Sequence, residues 1–381
     1  MTRNVTALML AIMIGAGISM LSCNKNNPIL SATTRTIGEP EPSGAISGLV
    51  TEAGNGAPIS GVTVSTTPFT CSDTTDATGR YMLVSVPIDT FAVTAVKSGY
   101  NSNTVFAEVI EDDTTTCNIE LDPFDGSIEI EWITIPAGTF TMGSLPTDPH
   151  AQVDEQPQHV VYLDAYQISR YEITNAQYLV FMDDGGYSTS TYWTPEGWEW
   201  RTTYNITEPY WWTEGDFNSG PAFPHYPVVG VSWHESYAFC QWLGGRLPTE
   251  AEWEKSARGT DPTNYWPWGS IWEPERCNSY FNEPPDTFLY SSPVGYFDAG
   301  QSPYTVYDIA GNVWEWVNDW YQADYYSVTP DSNPTGPATA EFKVFRGGGW
   351  GNIGNYLCRT ADRRYHSPVG SNGVIGIRPA K

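Results

Sequence analysis

Cys358 and the basic residues behind it are the part of the chain that most directly suggests chemistry. The stretch RGGGWGNIGNYLCRTADRRYH covers residues 346–366, and Arg359, Arg363 and Arg364 follow the cysteine within six residues. A cysteine becomes a nucleophile where its surroundings are electropositive and partly open to solvent, since these favour the thiolate. Cys358 is therefore a working thiol, half of a disulfide or a small buried apolar residue, and the choice bears on whether the protein is an enzyme.

Other reactive groups show little pattern. The five histidines have no paired metal-binding spacing and no HExxH motif, and zinc and phosphate-loop motifs are absent. The GVSWH sequence around Ser232 indicates a helix cap rather than a nucleophile elbow. The 44 acidic and 18 basic residues give a net charge of −26. This balance excludes nucleic acid as a partner, because phosphate binding needs a basic surface, and it is compatible with bound cations.

The stretch from residue 187 to 217, YSTSTYWTPEGWEWRTTYNITEPYWWTEGDF, contains five tryptophans. Sugar rings stack on exposed aromatic side chains, so the stretch is a candidate glycan site. The alternative, which we favour, is that these aromatic residues fill a core that has few helices and strands.

Three short helices are predicted to position the larger part of the chain, and each begins with a capping box. In this motif a hydroxyl accepts a first-turn amide and a Glu or Gln side chain reaches back. Each helix ends at glycine, which adopts a left-handed conformation readily. The three start and stop signals are Thr174-x-x-Gln177 with Gly185-Gly186, Ser232-x-x-Glu235 with Gly244-Gly245, and Thr249-x-x-Glu252 with Gly259.

The N-terminal residues have the pattern of a targeting signal. An apolar run ends at Ser22-Cys23, so residues 1–22 are predicted to be a secretory signal peptide. A small residue directly before Cys23 indicates a bacterial lipoprotein box, in which the cysteine is lipidated and becomes the new N-terminus. Residues 23–43 have no periodicity and predict a flexible tether. We therefore expect a lipid-anchored protein of the bacterial cell envelope, on its periplasmic or outer-surface side.

Residues 44–122 alternate apolar and polar residues in short runs separated by turn signals, which predicts a small β-sandwich. The stretch GLVTEAGNGAPISGVTVS, followed by TDATGRYMLVSVP and VKSGY, resembles the carboxypeptidase regulatory-like (transthyretin-like) domain. The resemblance implies a spacer or binding module with no catalysis of its own. Cys71 and Cys117 lie in this unit and either pair or are buried separately, because spacing alone does not fix disulfide geometry.

Residues 128–380 contain WITIPAGTFTMGS, PVVGVSWHESYAFCQWLGGRLPTEAEWEKSARG, YWPWGS, SPVGYF, VYDIAGNVWEWVNDWY and RGGGW in this order. This order resembles the formylglycine-generating enzyme family, also called the sulfatase-modifying-factor family, and RLPTEAEWE with GNVWEW is its most specific pair. The resemblance implies an α+β fold with little regular secondary structure, related to C-type lectins. It also implies, for active members, oxidation of a sulfatase cysteine to formylglycine with oxygen and with copper held by two cysteines.

The same resemblance puts the copper chemistry in doubt. The first cysteine of the family motif falls on Asn352, the second on Leu357, and the motif serine on Gly349. Cys358 is one position away from the second cysteine, and a single gap restores it. Copper(I) prefers two soft thiolate ligands, so we expect the copper oxygenase site to be lost. Cys358 is then a buried thiol or a disulfide partner.

Cys240 matches a disulfide cysteine of some relatives, whose partner position is Pro379 here. That bridge is therefore lost. Pairing of Cys240 with Cys277 or Cys358 stays open.

Calcium is the cofactor that the resemblance favours. The family's first calcium site falls on the side chains of Asn278 and Asp286 with the carbonyls of Ser279 and Phe288. The second falls on the side chains of Asp308 and Glu315 with the carbonyls of Gly311 and Val313. All four side chains carry the hard oxygen ligands that calcium prefers. The alternative is that Asp308 and Glu315 cap loops or pair with arginine.

Three function classes remain. The one we favour is a cell-envelope lipoprotein with a calcium-stabilised enzyme-like domain that binds a protein or glycan ligand or acts as a scaffold. The second is an active or divergent formylglycine-generating enzyme. The third is a retroelement-diversified ligand-display protein, for which Asn352, Asn355, Tyr356 and Asn372 are candidate variable positions.

Overall fold

The structure, a computed structural model, describes residues 42–123, 128–280, 288–352 and 354–381. The predicted signal peptide, Cys23 and nearly all of the predicted tether lie outside the described residues. The first domain has eight strands: β1 (Ser43–Glu52), β2 (Thr63–Thr67), β3 (Ser72–Thr74), β4 (Arg80–Pro87), β5 (Thr90–Val96), β6 (Asn103–Glu108), β7 (Thr114–Thr116) and β8 (Ile119–Leu121).

The strands of this domain form two sheets that enclose one core. One sheet has the order β4-β1-β7, with β8 also paired to β1, and the other has the order β3-β2-β5-β6. Alternate residues such as Tyr81 and Leu83 in β4 point into the core, as a half-buried strand requires. The predicted β-sandwich is confirmed. Cys71 and Cys117 are both buried in this core, and the thiol of Cys117 is free, so the pairing that the sequence left open is not formed.

The described residues of the second domain form four α-helices and eight short strands joined by long loops. The helices are α1 (Asn175–Asp183), α2 (Pro195–Thr203), α3 (Trp233–Trp242) and α4 (Glu250–Arg258). The strands are β9 (Trp132–Ile135), β10 (Gly138–Met142), β11 (His159–Leu163), β12 (Tyr166–Ser169), β13 (Trp314–Trp320), β14 (Lys343–Arg346), β15 (Arg363–His366) and β16 (Ile375–Gly376). This sparse α+β architecture is the predicted one.

The three predicted capping boxes are present at α1, α3 and α4, with Thr174, Ser232 and Thr249 as the N-caps. Each hydroxyl accepts a hydrogen bond from the third helical amide, while the Gln or Glu side chain at that position accepts one from the N-cap amide. The sequence analysis missed α2. Its signal is Thr194-Pro195, an N-cap hydroxyl followed by a proline at the first helical position.

The sheet that matters most for the site has the order β15-β14-β13-β16. Strand β13 pairs antiparallel with β14, opposing Glu315 to Arg346, and parallel with β16. Aromatic residues of α1 and α3, among them Tyr178, Phe181 and Phe239, pack in the same core as Trp316 from β13. Stacked and edge-to-face rings therefore provide much of the rigidity that long helices and strands provide elsewhere.

Buried ion pairs join the C-terminal segment to α4. The guanidinium group of Arg346 binds Glu250 and Glu254 at 2.6 Å each, and Arg363 binds Glu250 at 2.7 Å. All four side chains are almost fully inaccessible to solvent. Burial alone would raise the pKa of Glu250, but Arg363 and Arg346 outweigh it and the pKa is lowered. The carboxylate of Glu250 is therefore charged, and both buried carboxylates depend on their arginines for compensation.

The two domains touch through a small set of contacts. The Nε2 atom of His225 lies 2.7 Å from the hydroxyl of Thr94, and the rings of Phe69 and Phe223 are 4.4 Å apart. The hydroxyl of Ser98 donates to Asp183 at 2.7 Å. The sandwich therefore rests on α1 and on the loop that precedes α3.

None of the helices in the described part of the chain has both the length and the apolar character needed to cross a membrane.

Replacing Arg346 with methionine is expected to lower the free energy of unfolding by about 3–5 kcal/mol, because the buried carboxylates of Glu250 and Glu254 would lose the guanidinium group they share. Among the described residues, Arg363 alone would then pair with Glu250, and Arg258 alone with Glu254. The matched control is Arg276→Met, since Arg276 pairs with the partly exposed Glu273 and should cost no more than about 1 kcal/mol. Urea unfolding followed by tryptophan fluorescence measures both. Equal losses in the two variants would contradict the structural role given to the buried pairs.

Candidate functional site

Cys358 ends a short 3-10 helix, Asn355–Cys358, that follows the glycines after β14. Its side chain is completely buried against Trp266 and Ala310. The side-chain Nδ2 of Asn352 donates to the sulfur of Cys358 at 3.7 Å. The side-chain Oδ1 of Asn352 accepts from the indole nitrogen of Trp314 at 3.2 Å. The structure thus brings together Cys358 and the residue that stands at the family's first-cysteine position.

Two glycines shape this contact. Gly348 has a φ of +81°, and a Cβ there would lie 2.7 Å from both the sulfur of Cys358 and the amide nitrogen of Asn352. At Gly349, the motif-serine position, a Cβ would lie 3.1 Å from the ring of Trp314. Gly348 therefore has to be glycine for the thiol and the amide to meet, and a serine at 349 would press on the indole.

The arginines that follow Cys358 do not create an electropositive setting for it. Arg359 binds Asp148 and Glu155 at 2.8 Å each. Arg363 binds Glu250, and Arg364 binds Asp362. The reactive-thiol interpretation of the sequence loses its support, because these guanidinium groups are engaged with carboxylates elsewhere. Cys240 and Cys358 both carry free thiols, so the bridge between them that the sequence left open is not formed.

The residues of the first predicted calcium site fall partly outside the described residues, since Asp286 is not described. Asn278 is buried, and its amide nitrogen donates to the carbonyl of Tyr290 at 2.8 Å. Its own carbonyl accepts from the amide of Asn312 at 2.8 Å. Ser279 follows it as a buried residue, and Phe288 packs near Tyr296, with ring centroids 4.8 Å apart. This stretch therefore lies directly against the loop of the second predicted site.

In the second predicted site, Asp308 and Glu315 are buried in different surroundings. The carboxylate of Asp308 accepts from the amide of Gly295 at 2.6 Å. Glu315 lies in β13, where its carboxylate accepts from Arg378 at 2.7 Å and from the indole of Trp253 at 2.6 Å. Glu315 is thus paired with an arginine, which is the alternative to calcium binding that the sequence analysis gave for this residue. Gly311 and Val313, whose carbonyls complete the predicted set, lie on the turn between the two carboxylates.

Glu172 adds a third buried carboxylate that the sequence analysis missed. It accepts from the amide of Val313 at 3.2 Å and from the side chain of Asn312 at 2.6 Å. Burial raises its pKa well above the usual value, and Asp308 and Glu315 raise it further. Burial likewise raises the pKa of Asp308 to about 6. No sequence signal marks Glu172, because a single Glu between a strand and a helix is ordinary.

Among the described residues, Arg378 is the arginine whose guanidinium group interacts with all three carboxylates. The carboxyl oxygens and the nearby backbone carbonyls are the hard ligands that calcium prefers, and a bound cation would favour the charged forms of Glu172 and Asp308. Within the described ranges, however, no three His, Cys, Asp or Glu side chains converge closely enough to hold a metal ion by themselves. A calcium ion here would therefore need carbonyl oxygens, as the sequence prediction specifies.

The tryptophan-rich stretch serves two purposes. Trp193 and Trp212 are buried in the core next to α1 and α3, so core filling is correct for them. Trp200, Tyr210 and Trp211 instead line a cleft of about 500 Å³. The complete lining consists of Trp200, Asn205, Ile206, Thr207, Glu208, Pro209, Tyr210, Trp211, Glu214, Asp216, Gly230, Glu235 and Ser371.

Glu235 lies in the lining of this cleft and is almost fully buried. Its carboxylate accepts from the hydroxyl of Tyr187 at 2.6 Å and, as part of the capping box of α3, from the amide of Ser232 at 2.8 Å. Burial raises its pKa to about 7. The cleft therefore has a buried carboxylate, that of Glu235, in its lining together with exposed aromatic and acidic side chains.

The second domain combines a sparse α+β fold with a glycine-rich turn beside a buried cysteine. Comparison of the chain with known protein families identifies the class to which this combination belongs. A model of the sulfatase-modifying factor enzyme 1-like domain matches residues 125–381, and a model of the carboxypeptidase regulatory-like domain matches residues 45–122. The chain belongs to the sulfatase-modifying factor family, and both predicted resemblances are confirmed.

Three similar proteins illustrate the range of the family. A formylglycine-generating enzyme of Thermomonospora curvata is 32% identical over 291 residues, which are 65% of this chain and 92% of the relative. A hercynine oxygenase of Mycolicibacterium smegmatis is 31% identical over 264 residues, 65% of this chain and 60% of the relative. The structure of PvdO from Pseudomonas aeruginosa is similar with a TM-score of 0.50 and 26% identity, covering 68% of this chain and 96% of PvdO.

Cys358 is expected to resist alkylation in the native protein, because its sulfur is fully buried and contacts an amide. Iodoacetamide labelling followed by peptide mass spectrometry should find Cys358 unmodified in buffer and modified in urea. The urea sample serves as the control for reagent and detection. Rapid labelling of Cys358 in folded protein would contradict the buried-thiol assignment.

Proposed function

We propose that this chain is a ligand-binding or scaffold member of the sulfatase-modifying factor family in which the copper oxygenase site has been lost. The observation that carries the proposal is the contact between Asn352 and Cys358. An amide stands beside the only thiol of the glycine-rich turn, at the position where the family motif places a cysteine.

Copper does not fit this set of groups. Copper(I) prefers soft sulfur ligands, and the turn offers one sulfur and one hard amide. Gly349 supplies no hydroxyl at the motif-serine position, and Leu357 is apolar at the position of the second cysteine. We therefore assign no step of chemistry to copper in this protein.

The protein is expected not to convert a sulfatase-derived cysteine peptide to formylglycine when it is supplied with copper, oxygen and a reductant. Mass spectrometry of the peptide measures the conversion, and Cys358→Ser should behave like the parent protein. Asn352→Cys places a second sulfur near Cys358 and should bind copper(I) more tightly than the parent in a competition with a chelator. Aldehyde formation that requires Cys358 would instead favour an active or divergent formylglycine-generating enzyme.

We also propose that calcium stabilises the second domain. Support comes from Asp308, whose carboxylate lies with Glu172 and Glu315 near the guanidinium group of Arg378, and from the carbonyls of Gly311 and Val313 between Asp308 and Glu315. Asn278 and Ser279, with Asp286 and Phe288, are the proposed ligands of the first site. A cation bound by the folded state alone stabilises it by mass action.

Chelation is expected to lower the melting temperature. At a hundredfold excess of calcium over its dissociation constant, the stabilisation amounts to about 2.7 kcal/mol. Asp308→Asn should remove most of the response to calcium while keeping an acceptor for the amide of Gly295. This variant is preferable to changing Glu315, which is paired with Arg378. Asp331→Asn changes an exposed carboxylate and is the control. A melting curve that chelator leaves unchanged would rule out structural calcium.

The setting of the protein is a further part of the proposal. The apolar run before Cys23 supports a lipid-anchored protein of the bacterial cell envelope, either periplasmic or on the outer surface. The anchored end is followed by a polar tether and by the β-sandwich, which would act as a spacer. The acidic composition fits a protein or small-molecule ligand and no nucleic acid.

A further inference from the structure

The cleft beside α2 has the size and shape of a ligand site. Its volume of about 500 Å³ suits a small molecule or one or two side chains of a partner. Its aromatic lining comes from Trp200, at the end region of α2, and from Tyr210 and Trp211, on the loop that follows. Tyr210 is 63% exposed, which is unusual for a large side chain that only fills a core.

The two loop aromatics are held in place before any ligand arrives. Tyr210 is fixed to Gly230, because its amide donates to the carbonyl of Gly230 at 3.1 Å. A Cβ at Gly230 would lie only 2.1 Å from the carbonyl of Tyr210, so the two backbones are in direct contact. Trp211 has a φ of +67°, a strained conformation for a bulky residue, and its carbonyl accepts from the hydroxyl of Ser219 at 2.6 Å. The ring of Trp211 also packs edge to face against those of Tyr210 and Phe217, with centroids 4.5 and 5.0 Å apart. A loop fixed in this way loses little entropy on binding.

All charged residues in the lining are acidic. Glu208, Glu214, Asp216 and Glu235 line the cleft, and no Lys, Arg or His does. Glu208 accepts from the hydroxyl of Thr213 at 2.6 Å. Among the ion pairs of the described residues, none involves any of these four carboxylates. The lining therefore presents negative charge that arginine and lysine do not neutralise.

This combination favours one kind of cation over another. In the part of the chain that the structure describes, no three acidic, His or Cys side chains converge on a point, so the cleft is not built to coordinate a bare metal ion. Aromatic rings attract cations whose charge is spread over an apolar shell, such as amines, quaternary ammonium groups and guanidinium groups. The four carboxylates of the lining carry negative charge that a neutral sugar would leave without a counter-charge, whereas a positive group complements it.

We propose that this cleft binds an organic cation. The positive group lies against the aromatic surface that Tyr210 and Trp211 form together, their rings packed edge to face with centroids 4.5 Å apart, and Glu214 and Asp216 of the same lining supply the negative charge. The proposal rests on the ligand-binding role given above and names the class of ligand. The cation is either a free amine or ammonium compound or a basic side chain displayed by a protein partner.

The test is calorimetric titration of the full mature chain, in calcium-containing buffer, with choline, N-acetyl-lysine methylamide and N-acetyl-arginine methylamide. The neutral probes are 3,3-dimethylbutan-1-ol, which has the shape of choline without its charge, and N-acetylglucosamine. At least one cationic probe should bind, and both neutral probes should bind at least about tenfold more weakly. Preference for choline would indicate a free ammonium ligand, and preference for a peptide-like probe would indicate a basic side chain.

Variants connect the binding to the cleft. Two variants are tested, Tyr210→Ala and the double variant Glu214→Gln with Asp216→Asn. Each should weaken binding of the cationic probe by about tenfold or more. The melting temperature should not change, since all three side chains are exposed. Glu199→Gln removes an exposed carboxylate of α2 outside the lining and should leave binding unchanged.

The proposal is overturned if no cationic probe binds, if the neutral probes bind equally well, or if the control variant weakens binding as much as the cleft variants. Each of these outcomes is independent of the formylglycine assay. If no cationic probe binds and the peptide is not oxidised, only the proposed class of ligand is rejected. If the peptide is oxidised, the proposed ligand-binding role of the family domain is rejected.

Discussion

Buried arginine–carboxylate pairs are the interaction on which the second domain depends. This domain has four short helices and eight short strands, so regular hydrogen-bonded structure alone does not join its distant segments. Arg346 and Arg363 bind carboxylates of α4, Arg359 binds acidic residues far away in the chain, and Arg378 binds Glu315. Each pair links segments separated by about 60 residues or more. Once buried, neither charge can lose its partner without a large cost.

The same pairs determine what the glycine-rich turn can do. Arg346 at its start and Arg359 just after Cys358 are both anchored in the interior, so the turn between them is held closed around the thiol. Within that frame Gly348 allows the sulfur to touch the amide of Asn352. The family fold is thus present together with a turn in which one sulfur contacts a side-chain amide. Fold and chemistry are separable here because different residues support them.

The distribution of charge also bears on the cleft. Among the described residues, seven basic side chains are buried, namely Lys255, Arg258, Lys343, Arg346, Arg359, Arg363 and Arg378. The chain has 18 basic residues in all, against 44 acidic ones. Few cations therefore remain to neutralise acidic groups at the surface, and the carboxylates around Tyr210 and Trp211 stay available to a positive ligand. The excess of acidic over basic residues in the chain gives an acidic exterior, which attracts cations over some distance.

The sequence by itself determined the features whose causes are local. Alternation of apolar residues indicated the sandwich, and the hydroxyl and Gln or Glu at fixed spacing indicated α1, α3 and α4, because a capping box involves only four successive residues. Motif order identified the family, and the Thr194-Pro195 signal for α2 was present although it was not used. Only the tertiary structure decided which carboxylates bind Arg359 and Arg363, that Glu172 joins Asp308 and Glu315, and that Tyr210 and Trp211 line a cleft while Trp193 and Trp212 fill the core. These outcomes depend on which distant segments come into contact when the chain packs, and residue spacing along the chain does not specify those contacts.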